Sequence, residues 1–119
     1  KRTNALLGDL EALAGASRMH SVPVHVEVDP TSQCNLRCPM CHQSKLAMGR
    51  FRLGAADLDV LIDRLPYVDS LMIAGLGEPL LSPQLEPLLV QAARFGCRTH
   101  VFTNGQLIHR RLGALDARG

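Results

Sequence analysis

Three of the four cysteines in this chain lie within eight residues of each other, in the stretch CNLRCPMC. Cys34, Cys38 and Cys41 are spaced by four and three residues, a spacing that would also place them on one face of a helix. Pro39 follows the second cysteine directly and would disrupt such a helix, so we predict a loop wrapped around a bound group. We find no export signal and expect the cytosol, where clustered thiols are more often metal or redox groups than disulfides.

The number of thiols limits which metal group they could hold. A structural zinc site normally closes with four ligands, and an iron–sulfur cubane held by protein alone uses four thiolates. The remaining thiol, Cys97, stands 56 residues after Cys41, at the opposite end of a predicted strand. Three thiolates on a cubane would leave one iron open to another ligand. Zinc and three plain structural thiols are the alternatives, and the spacing alone leaves them open.

Composition and charge exclude several classes of protein. The chain has 119 residues, 46% apolar and 20% charged, which is typical of one globular domain. Its net charge of +2, without a run of Lys or Arg, does not indicate a nucleic-acid partner. Since it lacks an apolar stretch near 18 residues, we expect no membrane partner either.

Helical and strand patterns alternate along the chain. Apolar residues at helical spacing predict helices, and period-two alternation or short apolar runs predict strands. The predicted helices are 4–16, 55–66, 82–96 with Ser82 as N-cap, and one from 106 onward; the predicted strands are 21–29, 70–75 and 97–105. This order predicts an α/β fold with parallel strands and helical crossovers.

The first crossover is longer than the second. Val26 and Ile73, at the centres of the first two predicted strands, are 47 residues apart, whereas Ile73 and Val101 are 28 apart, close to the ~30 of a standard βαβ unit. The extra residues belong to the cysteine stretch and to the segment directly after it. The sequence therefore places this stretch after the carboxyl end of the first strand, where parallel α/β folds build their sites.

Together with two further stretches, the cysteines resemble a known family, the radical S-adenosylmethionine (radical SAM) enzymes. CNLRCPMC fits the family's Cys-x-x-x-Cys-x-x-Cys signature, GLGEP (75–79) is similar to its Gly-Gly-Glu-Pro segment, and TNG (103–105) is similar to a segment after its third strand. The resemblance covers about residues 22–112. It is strongest to the branch that includes molybdopterin-precursor cyclases and SPASM-type maturases.

The resemblance implies an architecture. The α/β chain would be the N-terminal half of a partial (βα)6 TIM-like barrel, with a helical extension at 1–20 and a radical SAM core at 21–119 that is cut after about three βα units. His25, Glu27 and Asp29 share one face of the first strand, opposite its valines. If the valines pack on the helices, this polar face points toward the barrel interior; solvent exposure on an edge strand is the alternative.

The resemblance also implies cofactors. Cys34, Cys38 and Cys41 would hold a 4Fe-4S cluster whose open iron binds S-adenosylmethionine. In this family, an electron from the cluster cleaves S-adenosylmethionine to methionine and a 5′-deoxyadenosyl radical, which abstracts hydrogen from a substrate. The expected contacts to S-adenosylmethionine come from Met40, Gly75, Leu76, Gly77, Glu78, Thr103 and Asn104. Leu76 stands where many members have a glycine, so the backbone there departs from the family pattern.

Partners are implied by the same resemblance. An electron donor such as flavodoxin or ferredoxin is expected, and the substrate is unknown: a peptide, a protein or a small molecule. The family's later segments, on its fourth and fifth strands, are missing, so we expect the chain to be a fragment that is inactive alone. The competing hypotheses are a non-catalytic zinc or iron–sulfur module and a degenerate truncated product.

Overall fold

The sheet consists of three parallel strands, side by side in the order in which they occur along the chain. The structure is a computed structural model that describes residues 1–44 and 49–111. The strands are β1 (His25–Val28), β2 (Ser70–Ile73) and β3 (Arg98–Val101), and the α-helices are α1 (Arg2–Leu13), α2 (Ala55–Ile62) and α3 (Leu85–Arg94). The predicted parallel α/β arrangement is therefore confirmed.

All three strands end level with each other. Val28 pairs with Ile73, and Ile73 pairs with Val101, in the last row of the sheet. Beyond this row, which we call the carboxyl edge, the chain continues into the cysteine stretch after β1, into GLGEP after β2 and into TNG after β3. The register alone thus brings three stretches that are distant in sequence to one edge.

One face of the sheet packs against the helices and forms the core. Leu71 and Ile73 of β2 are fully buried, as is Leu88 of α3, and the valines of β1 pack against this cluster. Val26 and Val28 therefore face the core, while the placement of the opposite, polar face inside a barrel stays a prediction. The other face of β1 is polar, with His25 and Glu27 exposed.

The predicted third helix begins later than its sequence pattern suggested. Gln84, not Ser82, is the N-cap of α3. Ser82 instead forms a turn, because its side-chain oxygen accepts a hydrogen bond from the backbone N–H of Gln84 at 3.2 Å. Pro87 becomes the third residue of the helix, where its missing N–H leaves no intrahelical bond unmade. Of the helix predicted from residue 106, residues 106–107 form a turn, residues 108–111 are helical, and the part from residue 112 onward lies outside the described residues.

Helix α1 is hydrogen-bonded to the segment just before β1, at the edge of the sheet opposite the carboxyl edge. Asn4 donates to the carbonyl of Val22 at 2.7 Å and accepts from its N–H at 2.8 Å, just before β1. A hydrogen bond from Ser21, followed by one from the backbone of His20, lowers the pKa of Glu11 below its ordinary value. The hydrogen bonds that Glu11 accepts therefore stabilise the fold at neutral pH. This stabilisation is lost as the pH falls below the ordinary pKa of a glutamate and through the lowered pKa of Glu11.

No helix in the described ranges combines the length and the apolarity that crossing a membrane requires.

Candidate functional site

The cysteine loop, which we define as residues 29–44 and 49–54, is closed at its base by a short antiparallel contact. Thr31 and Arg52 form a β-bridge. Next to it, the N–H of Ser32 donates to the carbonyl of Phe51 at 3.2 Å, and the N–H of Phe51 donates to the Ser32 hydroxyl at 2.9 Å. Thr31 and Ser32 are buried, so the base is a fixed part of the fold, and the cysteine stretch projects from it.

The three clustered thiols line one pocket. Cys34, Cys38 and Cys41 are half-buried and contribute to the wall of a pocket of about 630 Å³. The stretch that carries them is not helical; the N–H of Cys41 donates to the carbonyl of Cys38 at 3.0 Å in a turn around Pro39. The predicted loop is confirmed. All four cysteines are thiols rather than halves of disulfides.

The rest of the pocket wall includes apolar and cationic side chains. Leu76 is distant from the cysteine loop in sequence but lines the same pocket, and Arg37 and Arg50 add two positive charges. Across residues 1–44 and 49–111, no three His, Cys, Asp or Glu side chains stand close enough together to hold a metal ion. In this conformation the thiols therefore face a shared pocket without being gathered around one point.

The GLGEP segment lies directly against the base of the cysteine loop. A Cβ atom on Gly77 would lie 1.8 Å from the backbone oxygen of Thr31 and 2.7 Å from that of Gln33. The next residue, Glu78, donates its N–H to the Gln33 carbonyl at 2.7 Å. Only glycine permits this approach, so the close approach expected at this segment is a contact with the chain's own loop.

Asp29 joins the same two segments from the end of β1. Its carboxylate accepts hydrogen bonds from the N–H of Leu76 at 3.2 Å and from the N–H of Thr31 at 3.3 Å. Gly75 has a φ of +155°, and a Cβ there would lie 1.9 Å from the Asp29 carboxyl carbon. Sequence reasoning assigned Asp29 to a polar strand face and missed this role, because its partner Leu76 is 47 residues away.

Glu78 is a buried residue whose carboxylate accepts several hydrogen bonds within the site. Its side chain is 1% exposed, and both carboxylate oxygens accept hydrogen bonds from the protein. One oxygen accepts from the N–H of Leu80 at 3.0 Å and from the Thr103 hydroxyl at 2.7 Å; the other accepts from the N–H of Asn104 at 2.9 Å. The carboxylate thus ties the end of β3 to the end of β2.

Replacing Glu78 with alanine is expected to destabilise the fold by about 2–4 kcal/mol, since three donors lose a charged acceptor. Urea unfolding of the protein measures this change. Glu27 is exposed on the open face of β1, so Glu27→Ala is the matched control and should change stability by no more than about 0.5 kcal/mol. Equal effects of the two substitutions would contradict the role assigned to Glu78.

The TNG segment reaches the cysteine loop through Asn104. Its side-chain amide donates to the Asn35 side-chain oxygen at 2.9 Å and to the Cys34 sulfur at 3.8 Å. The three stretches picked out in the sequence, 34–41, 75–79 and 103–105, therefore form one hydrogen-bonded unit at the carboxyl edge.

Four other side chains that could bind a ligand or a metal take no part in the hydrogen bonds that join these stretches and do not line the pocket. Met40 is 77% exposed and is not among the residues that line the pocket. His42 and His100 are exposed, and Cys97 is buried in the core, where its thiol donates to the Val68 carbonyl at 3.2 Å. The contacts to S-adenosylmethionine expected of Met40, Gly75–Glu78, Thr103 and Asn104 remain predictions.

Comparison with known proteins gives this site a context. A probable GTP 3′,8-cyclase of Methanothermobacter thermautotrophicus is 29% identical over 104 residues, which cover 84% of this chain and 34% of that protein. The tungsten-containing aldehyde ferredoxin oxidoreductase cofactor-modifying protein of Pyrococcus furiosus is 26% identical over 90 residues, 71% of this chain and 24% of that protein. No protein-family profile matches the chain.

Solved structures agree in fold. BtrN in complex with AdoMet and 2-DOIA superposes with a TM-score of 0.69 at 26% identity, over 85% of this chain and 44% of BtrN. The chain is related to the N-terminal part of the radical SAM enzymes. A second BtrN structure, in an open conformation, has a TM-score of 0.66 at 24% identity and supports the fold alone.

The radical SAM relationship concerns only part of each relative. The chain spans about a quarter to a third of the curated relatives and just under half of BtrN.

Proposed function

We propose that this chain forms the first half of the core of a radical SAM enzyme. Cys34, Cys38 and Cys41 would hold a 4Fe-4S cluster, and S-adenosylmethionine would bind beside it. The observation that carries the proposal is the convergence of the cysteine stretch, GLGEP and TNG at one edge of the sheet, beside a pocket that is lined by the three thiols and by Leu76 of GLGEP. The relationship to radical SAM enzymes supports it independently.

The donor set fits such a cluster in its chemistry. Thiolates are the ligands of iron–sulfur clusters, and three of them on a half-exposed loop leave one iron for a ligand outside the protein. When bound, the cluster supplies one electron that breaks a carbon–sulfur bond of S-adenosylmethionine and yields the 5′-deoxyadenosyl radical. The loop supplies the thiols, while its buried base anchors the loop to the sheet.

The remaining residues of the pocket have supporting tasks. Arg37 and Arg50 offset the negative charge that three thiolates bring into the pocket. Leu76 presents an apolar surface beside them. Gly75 is exposed and Gly77 half-buried, so backbone carbonyls of this segment are available to accept the amino group of S-adenosylmethionine, with Thr103 as a further contact.

The larger architecture belongs to the same proposal. Further strands would close the sheet into a partial (βα)6 barrel, and the polar face of the sheet, with His25 and Glu27, would then line the interior. The radical acts on a substrate that this portion leaves unspecified: a peptide, a protein or a small molecule. A cytosolic electron donor such as flavodoxin or ferredoxin would reduce the cluster.

Product analysis tests the proposal. The full-length protein, reconstituted with iron and sulfide under anaerobic conditions and reduced with dithionite, should convert S-adenosylmethionine to methionine and 5′-deoxyadenosine. The 119-residue chain alone should give neither product, because it supplies half of the expected barrel. A loaded full-length protein that leaves S-adenosylmethionine intact would contradict the proposal, as would one zinc per chain without sulfide.

A further inference from the structure

The side chain of Asn104 connects the end of β3 to the first cysteine of the loop. Its amide nitrogen lies 3.8 Å from the Cys34 sulfur and 2.9 Å from the Asn35 side-chain oxygen. The two N–H bonds of the amide suffice for both contacts. These residues are 69 and 70 positions away in sequence, so the contact depends on the folded sheet.

The orientation of this amide is fixed by a neighbour. The N–H of Gln106 lies 3.0 Å from the side-chain oxygen of Asn104, and a backbone N–H can only donate. The oxygen of the amide therefore faces Gln106, and the NH₂ group faces Cys34. An inverted amide would set two donors against each other at Gln106.

The backbone of Asn104 is anchored as well. Its N–H donates to the buried carboxylate of Glu78 at 2.9 Å, and the preceding Thr103 hydroxyl donates to the other oxygen at 2.7 Å. A carboxylate that is 1% exposed and held by three donors does not rotate freely. The amide of Asn104 is thus held at a set position relative to the cysteine loop.

We propose that Asn104 is a positioning residue that donates an N–H···S hydrogen bond to the Cys34 thiolate and raises the reduction potential of the cluster. This inference rests on the proposed function, since it requires the cluster on Cys34. A hydrogen bond to a ligating sulfur withdraws electron density and favours the reduced, more negative state of a cluster. Asn104 then acts through Cys34 and not through contact with S-adenosylmethionine.

The test is the midpoint potential of the reconstituted full-length protein, with iron and sulfide measured on each sample. Asn104→Leu removes the donor without adding charge, and Asn104→Asp keeps the shape and the oxygen that Gln106 requires. Both variants should shift the potential to a more negative value. Gln106→Leu is the matched control, because it removes an exposed side-chain amide of the same turn and keeps the backbone N–H that bonds Asn104, and its potential should equal that of the unaltered protein.

The outcomes separate this inference from the proposed function. Loaded Asn104 variants with an unchanged potential would overturn the inference and leave the cluster assignment standing, and so would a Gln106→Leu shift of the same size. An unaltered protein that takes up no cluster would overturn both. Loss of the cluster from both Asn104 variants, with Gln106→Leu still loaded, would also overturn the inference, since the amide would then hold the loop in place and not tune a bound cluster.

Discussion

Full-length protein carrying Cys38→Ala should lose its cluster. The unaltered protein is expected to take up about four irons and four sulfides on anaerobic reconstitution, whereas the variant should retain less than about a tenth of this amount. The physical reason is the number of ligands. Three thiolates already leave one iron without a protein ligand. Without the Cys38 thiolate a second iron would also lack one, which exposes the cluster to loss of iron and to hydrolysis.

The chain contains its own control for this experiment. Cys97 is 8% exposed and lies in the core, with its thiol against the carbonyls of Val68 and Leu65. Cys97→Ala should lower stability by about 1 kcal/mol and leave the iron and sulfide content unchanged. A Cys38→Ala protein that stays fully loaded, or a Cys97→Ala protein that loses its cluster, would mean that the ligands of the cluster are not Cys34, Cys38 and Cys41.

Gly77→Ala should lower the free energy of unfolding more than any other substitution proposed for this protein. The new Cβ would lie 1.8 Å from the Thr31 oxygen and 2.7 Å from the Gln33 oxygen, and both are backbone atoms at the base of the cysteine loop. Backbone atoms held in that way cannot move aside as a flexible side chain would, so the GLGEP segment and the loop must separate. We expect a loss of at least about 3 kcal/mol, at the upper end of ordinary overpacking.

Gly49→Ala is the matched control for this prediction. Gly49 also belongs to the cysteine loop, has no positive φ, and would have no atom within 4 Å of an added Cβ. Urea unfolding should therefore show a stability close to that of the unaltered protein, whereas Gly77→Ala should unfold at a much lower urea concentration. Gly77→Ala with an unchanged midpoint would mean that the two segments do not touch as described.

Local sequence patterns predicted the elements of this fold well where one physical preference dominates. The alternating valines of β1, such as Val26 and Val28, have the period of a strand and pack on the core. Pro39 predicted the loop that the cysteines occupy. The start of α3 was placed too early because Ser82 satisfies a turn as readily as an N-cap, and sequence alone does not separate these two uses.

Local sequence patterns did not predict the contacts between segments. The sequence placed GLGEP and TNG near the cysteines, but not the carboxylate of Glu78 that joins Thr103 and Asn104 to its own segment. Nor did it indicate that Asp29 holds Leu76. These partners are 25 to 47 residues apart, and only the register of the sheet decides which of them meet.

We expect the three thiols to hold a cubane whose fourth iron is open to S-adenosylmethionine. Electron paramagnetic resonance of the reduced full-length protein, recorded with and without S-adenosylmethionine, tests this most directly. The reduced protein should give the signal of a 4Fe-4S cluster, and this signal should change when S-adenosylmethionine is added. A cluster signal that S-adenosylmethionine leaves unaltered, or no cluster signal after reconstitution, would contradict it.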